Sequence, residues 1–164
     1  VVRAVTRELP RLGFGRGDIQ VITPMHRGPL GVTELNRRLQ EALNPPHPRK
    51  RELSLRRHTL REGDRVLQVV NNYDKNVYNG EIGHVVRVNP DSKTVVVTFD
   101  EQDVSYEYSE LDQLQLAYAM TIHKSQGSEY PATVICIHTT HYIMLRRNLL
   151  YTCLLYTSPS PRDS

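Results

Sequence analysis

The richest concentration of chemistry in this 164-residue chain is the run Ala119-Met120-Thr121-Ile122-His123-Lys124-Ser125-Gln126-Gly127-Ser128-Glu129, a dense polar set between two apolar stretches. Thr, His, Lys and Ser donate hydrogen bonds to phosphate oxygens, Gly lets a backbone come close to a ligand, and Gln and Glu can pair with ribose or with phosphate-bound groups. A polar helix end capped by Gly127 would account for the glycine but not for its company. A second candidate is Arg27, in Met25-His26-Arg27-Gly28-Pro29. Its guanidinium can fork onto phosphate oxygens; an exposed loop arginine without a ligand is the plainer alternative. Cys136, His138 and His141 suggest zinc by type, but a closed site needs a fourth ligand, and Cys136 and His138 are same-face neighbours along a strand in any case. No metal site is expected.

These residues need elements to hold them. Ile19 to Thr23 is a short apolar and β-branched run closed by Pro24, the pattern of a buried strand in an α/β sheet. Arg27 then lies beyond its C-terminal end. Leu35, Leu39, Ala42 and Leu43 mark the buried face of a helix that starts near Thr33 and is stopped by Pro45, Pro46 and Pro48. Strand, loop and helix in that order is how open α/β sheets put ligands beyond strand ends, although many such units bind nothing there. Upstream, Val1, Val5, Leu9 and Leu12 recur at helical spacing before a turn from Gly13 to Asp18.

From Gly63 to Tyr108 the texture changes to short β-rich runs: Val66 to Val70, Ile82 to Val88, Thr94 to Phe99 and Ser105 to Tyr108. Asn89-Pro90-Asp91-Ser92-Lys93 reads as a hairpin turn. The pattern is that of a small β-barrel, with so little core that it must lean on the domain around it. The α/β texture resumes with Leu114 to Thr121, a loop around Gly127, a strand from Thr133 to Ile137 and a helix candidate from Tyr142 to Thr152.

Composition narrows the ligand only slightly. A net charge of +3 and a pI near 9.0 permit a polyanionic partner without requiring one. Arg49, Lys50, Arg51, Arg56, Arg57, Arg61 and Arg65 crowd one stretch, opposed only by Glu52, Glu62 and Asp64. That stretch either holds nucleic acid or is a solvated linker. Cys136 and Cys153 have no disulfide spacing, which fits a reduced, cytoplasmic protein. No apolar run approaches the ~20 residues that span a bilayer, and no signal pattern opens the chain.

Four blocks carry a resemblance to the RecD-like branch of superfamily 1 DNA helicases. Thr121-Ile122-His123-Lys124-Ser125-Gln126-Gly127-Ser128-Glu129 resembles motif V of superfamily 1. The resemblance implies that Thr121 and His123 touch the DNA backbone, that Gln126, Gly127 and Glu129 face a nucleotide, and that Lys124 and Ser125 serve either ligand. Gln20 to Gly31, continuing through Leu35-Asn36, Leu39-Gln40 and Leu43-Asn44-Pro45, is similar to the motif IV region, which makes Arg27 a nucleotide or phosphate contact. Gly63 to Gln68, Asn71 to Asp74 and Val77 to Gly83 are similar to the SH3-like insertion of these helicases. There Tyr73 and Tyr78 could stack on bases and Asn72 and Asn79 could bond phosphates, while Asn79-Gly80 could equally be a plain hairpin turn. Arg147 to Thr152 resembles the opening of motif VI, but Cys153-Leu154-Leu155-Tyr156 stands where the family places a Thr-Arg pair, and no arginine follows until Arg162.

The resemblance implies an α/β fold: a partial RecA-like motor domain, a parallel sheet with flanking helices, into which a small SH3-like β-barrel is inserted. On this reading residues 1–60 and 111–153 belong to the second motor domain, 61–110 form the insertion, and 154–164 are a foreign or frameshifted tail. No Gly-x-x-x-x-Gly-Lys-[Ser/Thr] loop occurs in the chain. The expectation is therefore a piece of an ATP-dependent 5′–3′ helicase, inactive in ATP hydrolysis by itself. ATP would be shared with a missing first motor domain that brings the Mg2+ ligands. Single-stranded DNA would be the partner, with recombination or repair proteins beside it. The alternatives are a non-catalytic single-strand-binding module and a docking subunit of a recombination complex.

Overall fold

The computed structural model describes residues 1–126 and 128–137. Gly127, the helix candidate Tyr142 to Thr152, the motif VI resemblance, His138, His141 and the tail lie outside the described residues. The chain divides into two compact units, one formed by Val1–Leu35 with the segment from Ala119 onward, the other by Asn36–Tyr118.

The first unit is built on a parallel three-stranded sheet. Its strands β1 (Ile19–Thr23), β9 (Ala119–Thr121) and β10 (Ala132–Ile135) stand in the order β10-β1-β9. All five residues of β1 are buried, as expected of a central strand flanked on both sides. Ile22 packs with Ile122 and Ile135. Before this sheet the chain is helical, a π-helical turn at Ala4–Glu8 running into α1 (Leu9–Arg11). The helical spacing of Val1, Val5, Leu9 and Leu12 is real, but of the four only Val5 is buried, and Val1 and Leu12 are exposed. The wider π turn rotates the later positions off a regular apolar stripe.

Helix α2 (Val32–Leu43) begins one residue before the position read from the sequence. Its buried face differs from the apolar one expected. Leu35 and Leu39 are buried, but Ala42 is exposed, and the polar residues Asn36, Gln40 and Asn44 are buried instead. Spaced by four, these three make one stripe.

The second unit holds an antiparallel sheet in the order β7-β6-β5-β4-β8, made of β4 (Arg65–Gln68), β5 (Ile82–Asn89), β6 (Thr94–Phe99), β7 (Gln102–Tyr106) and β8 (Leu114–Leu116). A separate hairpin, β2 (Glu52–Ser54) with β3 (Thr59–Arg61), precedes it. The pairing leaves β7 and β8 as edges, so hydrogen bonding does not close the expected barrel. Two further expectations change. Leu114–Leu116 pairs antiparallel with β4, so the α/β texture resumes at Ala119 and not at Leu114. The basic stretch contains a hairpin that short strand length hid from a reading by periodicity.

The core of this unit joins Leu53 and Leu60 of the hairpin to Val66, Val85, Val88, Val95, Val97, Phe99, Val104, Tyr106, Leu111, Leu114 and Leu116. β5 approaches β6 closely at Gly83. A Cβ there would meet Val97 Cγ1 at 2.6 Å and Phe99 Cδ1 at 2.8 Å, so the glycine is what lets the two strands pack. The turn at Asn89 forms as its residues predict, with Asn89 Oδ1 accepting from the backbone N–H of Asp91 and Ser92.

Candidate functional site

In the first unit the site is set by strand register. β1 and β9 run parallel with Thr23 opposite Thr121, so the loops that follow both strands leave the same edge of the sheet. Adjacent strands lie about 4.8 Å apart. The Arg27 loop and the Thr121 to Glu129 run are therefore neighbours, although about a hundred residues separate them in sequence.

The loop after β1 is stitched to itself. Thr23 Oγ1 donates to Leu30 O at 2.6 Å, Val32 N donates to Met25 O at 2.9 Å, and Thr33 N donates to His26 O at 3.4 Å. Gly31 lies against the backbone of Arg27, where an added Cβ would sit 2.5 Å from the Arg27 carbonyl carbon. The Arg27 backbone is thus held in place while its side chain is exposed.

The loop after β9 begins as a tight turn. Lys124 N and Ser125 N both donate to Thr121 O at 3.1 Å, and Lys124 N also reaches Thr121 Oγ1 at 3.3 Å. Ser125 Oγ donates to Ile122 O at 2.8 Å. Thr121 and Ser125 are each 7% exposed, so both shape the turn from within. His123, Gln126 and Glu129 are exposed and Lys124 is half-buried. The predicted residues thus separate into an inner pair that fixes the turn and an outer group able to meet a ligand.

The remaining candidates lie in the second unit. Tyr73 and Tyr78 are 71% and 42% exposed, with ring centroids 5.9 Å apart in an edge-on arrangement. Asn79 is exposed within a turn where Gly80 has a φ of 104°, and Asn79 N donates to Asn71 Oδ1 at 2.9 Å. Asn72 is engaged in structure: Oδ1 accepts from Lys75 N at 3.2 Å, Nδ2 donates to Gln113 Oε1 at 3.1 Å, and its backbone bridges Val77.

Asp64 is the residue whose importance the sequence reading missed. It is fully buried, and all its side-chain partners donate to it: Asn44 Nδ2 at 2.7 Å and Tyr118 OH at 2.8 Å to Oδ1, Gln40 Nε2 at 2.6 Å and Arg61 N at 2.7 Å to Oδ2. Burial pushes its pKa up, and the donated hydrogen bonds pull it back. The same burial, with Asp64 alongside, pushes the Tyr118 hydroxyl pKa up. Arg61 donates Nη1 to Asn44 O at 2.5 Å and Nε to Glu52 Oε2 at 2.8 Å. The available signal was the i, i+4, i+8 spacing of Asn36, Gln40 and Asn44 on α2.

Among the described residues no group of three His, Cys, Asp or Glu side chains is placed to hold a metal ion, and no helix is long and apolar enough to cross a membrane. Cys136 is buried, which raises its thiol pKa, and its backbone N–H donates to Ile22 O at 2.8 Å.

Comparison with known proteins adds sequence relatives to this geometry. Residues 35–99 match the family described as ATP-dependent RecD-like DNA helicase SH3 domain, and residues 116–154 match the UvrD-like helicase C-terminal domain. The chain is 40% identical over 152 residues to the ATP-dependent RecD2 DNA helicase of Deinococcus radiodurans, covering 93% of this chain and 20% of that protein. It is 32% identical over 135 residues to the RecBCD enzyme subunit RecD of Mycobacterium tuberculosis, covering 79% of this chain and 22% of the relative. It thus spans about a fifth of the length of these relatives. In fold it resembles the Pif1 helicase from Bacteroides in complex with ADP-AlF3 and ssDNA, with a TM-score of 0.65 at 19% identity over 96% of this chain and 42% of that one. It also resembles the Pif1 helicase from Candida albicans, with a TM-score of 0.54 at 16% identity over 95% of this chain and 50% of that one.

Proposed function

The chain belongs to the RecD-like branch of superfamily 1 helicases, and on that premise we propose that it supplies DNA-gripping and nucleotide-sensing residues to a cleft shared with a first motor domain in the complete protein. The observation that carries this is the register of β1 and β9. Thr23 opposite Thr121 brings the Arg27 loop and the His123 turn out of one sheet edge, the edge at which open α/β sheets bind ligands.

Arg27, Gln126, Gly127 and Glu129 then face the nucleotide, and His123 and Lys124 face the DNA backbone. Thr121 and Ser125 hold the turn that aims them. Tyr73 and Tyr78 offer exposed rings to the bases of a single strand, with Asn79 beside them. Asn72 supports that surface through its bonds to Lys75 and Gln113. The inserted unit takes the compact limits Asn36–Tyr118, wider than the 61–110 read from the sequence, which leaves Val1–Leu35 and the segment from Ala119 onward to the motor domain.

The fit to ATP rests on exposed Arg27, Gln126 and Glu129 at that edge; when bound, ATP supplies the phosphoanhydride whose cleavage drives domain motion. Mg2+ does not fit the described residues, which hold no suitable cluster, and its ligands are assigned to the other motor domain. The complete protein would translocate 5′ to 3′ on single-stranded DNA in the cytoplasm, alone or with recombination proteins.

The test uses the complete protein. His123→Ala should lower ATP turnover at limiting single-stranded DNA about tenfold, the loss of roughly one charge-assisted contact, and Arg27→Ala should raise the KM for ATP. Unchanged turnover and KM in both variants would refute the assignment. A chain that binds single strands through Tyr73 and Tyr78 but never couples to ATP would favour the single-strand-binding module instead.

A further inference from the structure

The basic stretch resolves into two populations once its side chains are placed. Arg61 is buried and paired with Glu52 and Asn44 O, and Lys50 Nζ donates to Asn44 Oδ1. These are structural. Arg49, Arg51, Arg56 and Arg57 are exposed, and among the described residues their guanidinium groups have no acidic partner.

The three acids of the stretch are turned to other work. Glu52 is taken by Arg61 and Asp64 is fully buried. Glu62 accepts from the backbone N–H of Val88 through Oε1 and of Arg51 through Oε2, each at 3.1 Å. Glu52 stays 45% exposed but is paired with Arg61, so the exposed charge of Arg49, Arg51, Arg56 and Arg57 is not matched by ion pairs within the stretch.

Arg56 and Arg57 stand at the tip of the β2–β3 hairpin, between Leu55 and His58, where Leu55 N donates to His58 O at 2.8 Å. The hairpin is anchored by Leu53 and Leu60, both in the core, by Leu55 packed against it, and by Ser54 Oγ and Thr59 Oγ1 at 3.3 Å. Two-residue hairpin turns favour Asn-Gly or Asp-Gly for backbone reasons. Neither Arg56 nor Arg57 takes a positive φ, so this tip does not require those residues and holds two arginines without backbone strain.

We propose that this hairpin tip is a phosphate contact for double-stranded DNA, distinct from the exposed tyrosines. It offers guanidinium groups without an aromatic ring, since no Phe, Tyr or Trp lies between Phe14 and Tyr73. It therefore reads backbone charge and not bases. Charge density decides between duplex and single strand: a duplex carries about one phosphate per 1.7 Å and releases more counterions per neutralised phosphate than a single strand does. From the preceding reading this takes only that the ligand is DNA; it needs neither ATP nor the motor loops.

The test is fluorescence anisotropy of the full chain with a blunt 20-base-pair duplex and, separately, with a 20-nucleotide oligo-dT, across a salt series. Arg56→Ala/Arg57→Ala should weaken duplex binding at least about tenfold and reduce the slope of log K against log salt by roughly 2. Oligo-dT binding should stay within about twofold, and Arg56→Lys/Arg57→Lys should keep the duplex slope because charge is retained. No duplex binding by the wild type, an unchanged slope in the alanine variant, or an equal loss on both DNAs would overturn the proposal. Tyr73→Ala/Tyr78→Ala serves as the opposite arm. Loss of oligo-dT binding there with duplex binding intact separates the two surfaces, and a loss of duplex binding in that arm alone would overturn the hairpin's role. Failure of the His123 and Arg27 variants to affect ATP turnover would leave this result untouched.

Discussion

At the residue scale the most consequential group is one with no exposed chemistry. Asp64 receives donors at both side-chain oxygens, from Gln40, Asn44, Arg61 and Tyr118, so an amide in its place puts an –NH2 where an acceptor is needed. Asp64→Asn turns an –NH2 toward two of those donors and should cost about 2–4 kcal/mol, read as a lower urea midpoint at unchanged slope. A change under about 0.5 kcal/mol would mean that the network is not a unit. Its partners were partly legible, since polar residues every four along α2 point one way. Asp64 itself was not: in sequence it is one acid among neighbouring bases. The candidate loop was more open to reading. Thr, His, Lys, Ser, Gln and Glu between apolar runs already ask for a ligand, but which of them face outward was decided by hydrogen bonds to Thr121 O and Ile122 O.

At the element scale, turn chemistry and strand length set what can be read. β1 and β6 match the stretches their composition predicts, Ile19–Thr23 and Thr94–Phe99, because β-branched runs bounded by turn formers have few alternatives. β2, β3 and β8 have three residues each and offer no period to detect. The β6–β7 turn is a local compromise. Asp100 and Glu101 take φ of 40° and 73°, both left-handed, where a two-residue hairpin wants Asn-Gly. Asp100→Asn/Glu101→Gly should stabilise the unit by roughly 1 kcal/mol, raising Tm by several degrees. A lower Tm would show that the native pair does something the backbone does not reveal.

At the scale of the whole molecule, the Asn36–Tyr118 unit has the marks of an independent fold. Its core draws on residues of that span alone. Its ends are tied by Asn36 Nδ2 donating to Leu116 O at 2.9 Å. Expressed alone, residues 36–118 should show a single cooperative urea transition by circular dichroism, and a broad, non-cooperative loss of signal would count against that independence. What the sequence determined by itself is the family, the central buried strand, the β-rich insertion and the polar run that follows β9. Each is a local pattern of residue type and spacing, and local patterns survive without coordinates. What only the tertiary structure decided is which distant pieces meet: Thr23 opposite Thr121, Leu114–Leu116 beside β4, Asp64 buried among donors from Gln40, Asn44 and Tyr118. Strand register and side-chain pairing join residues far apart in the chain, and no period along the sequence encodes such a partner.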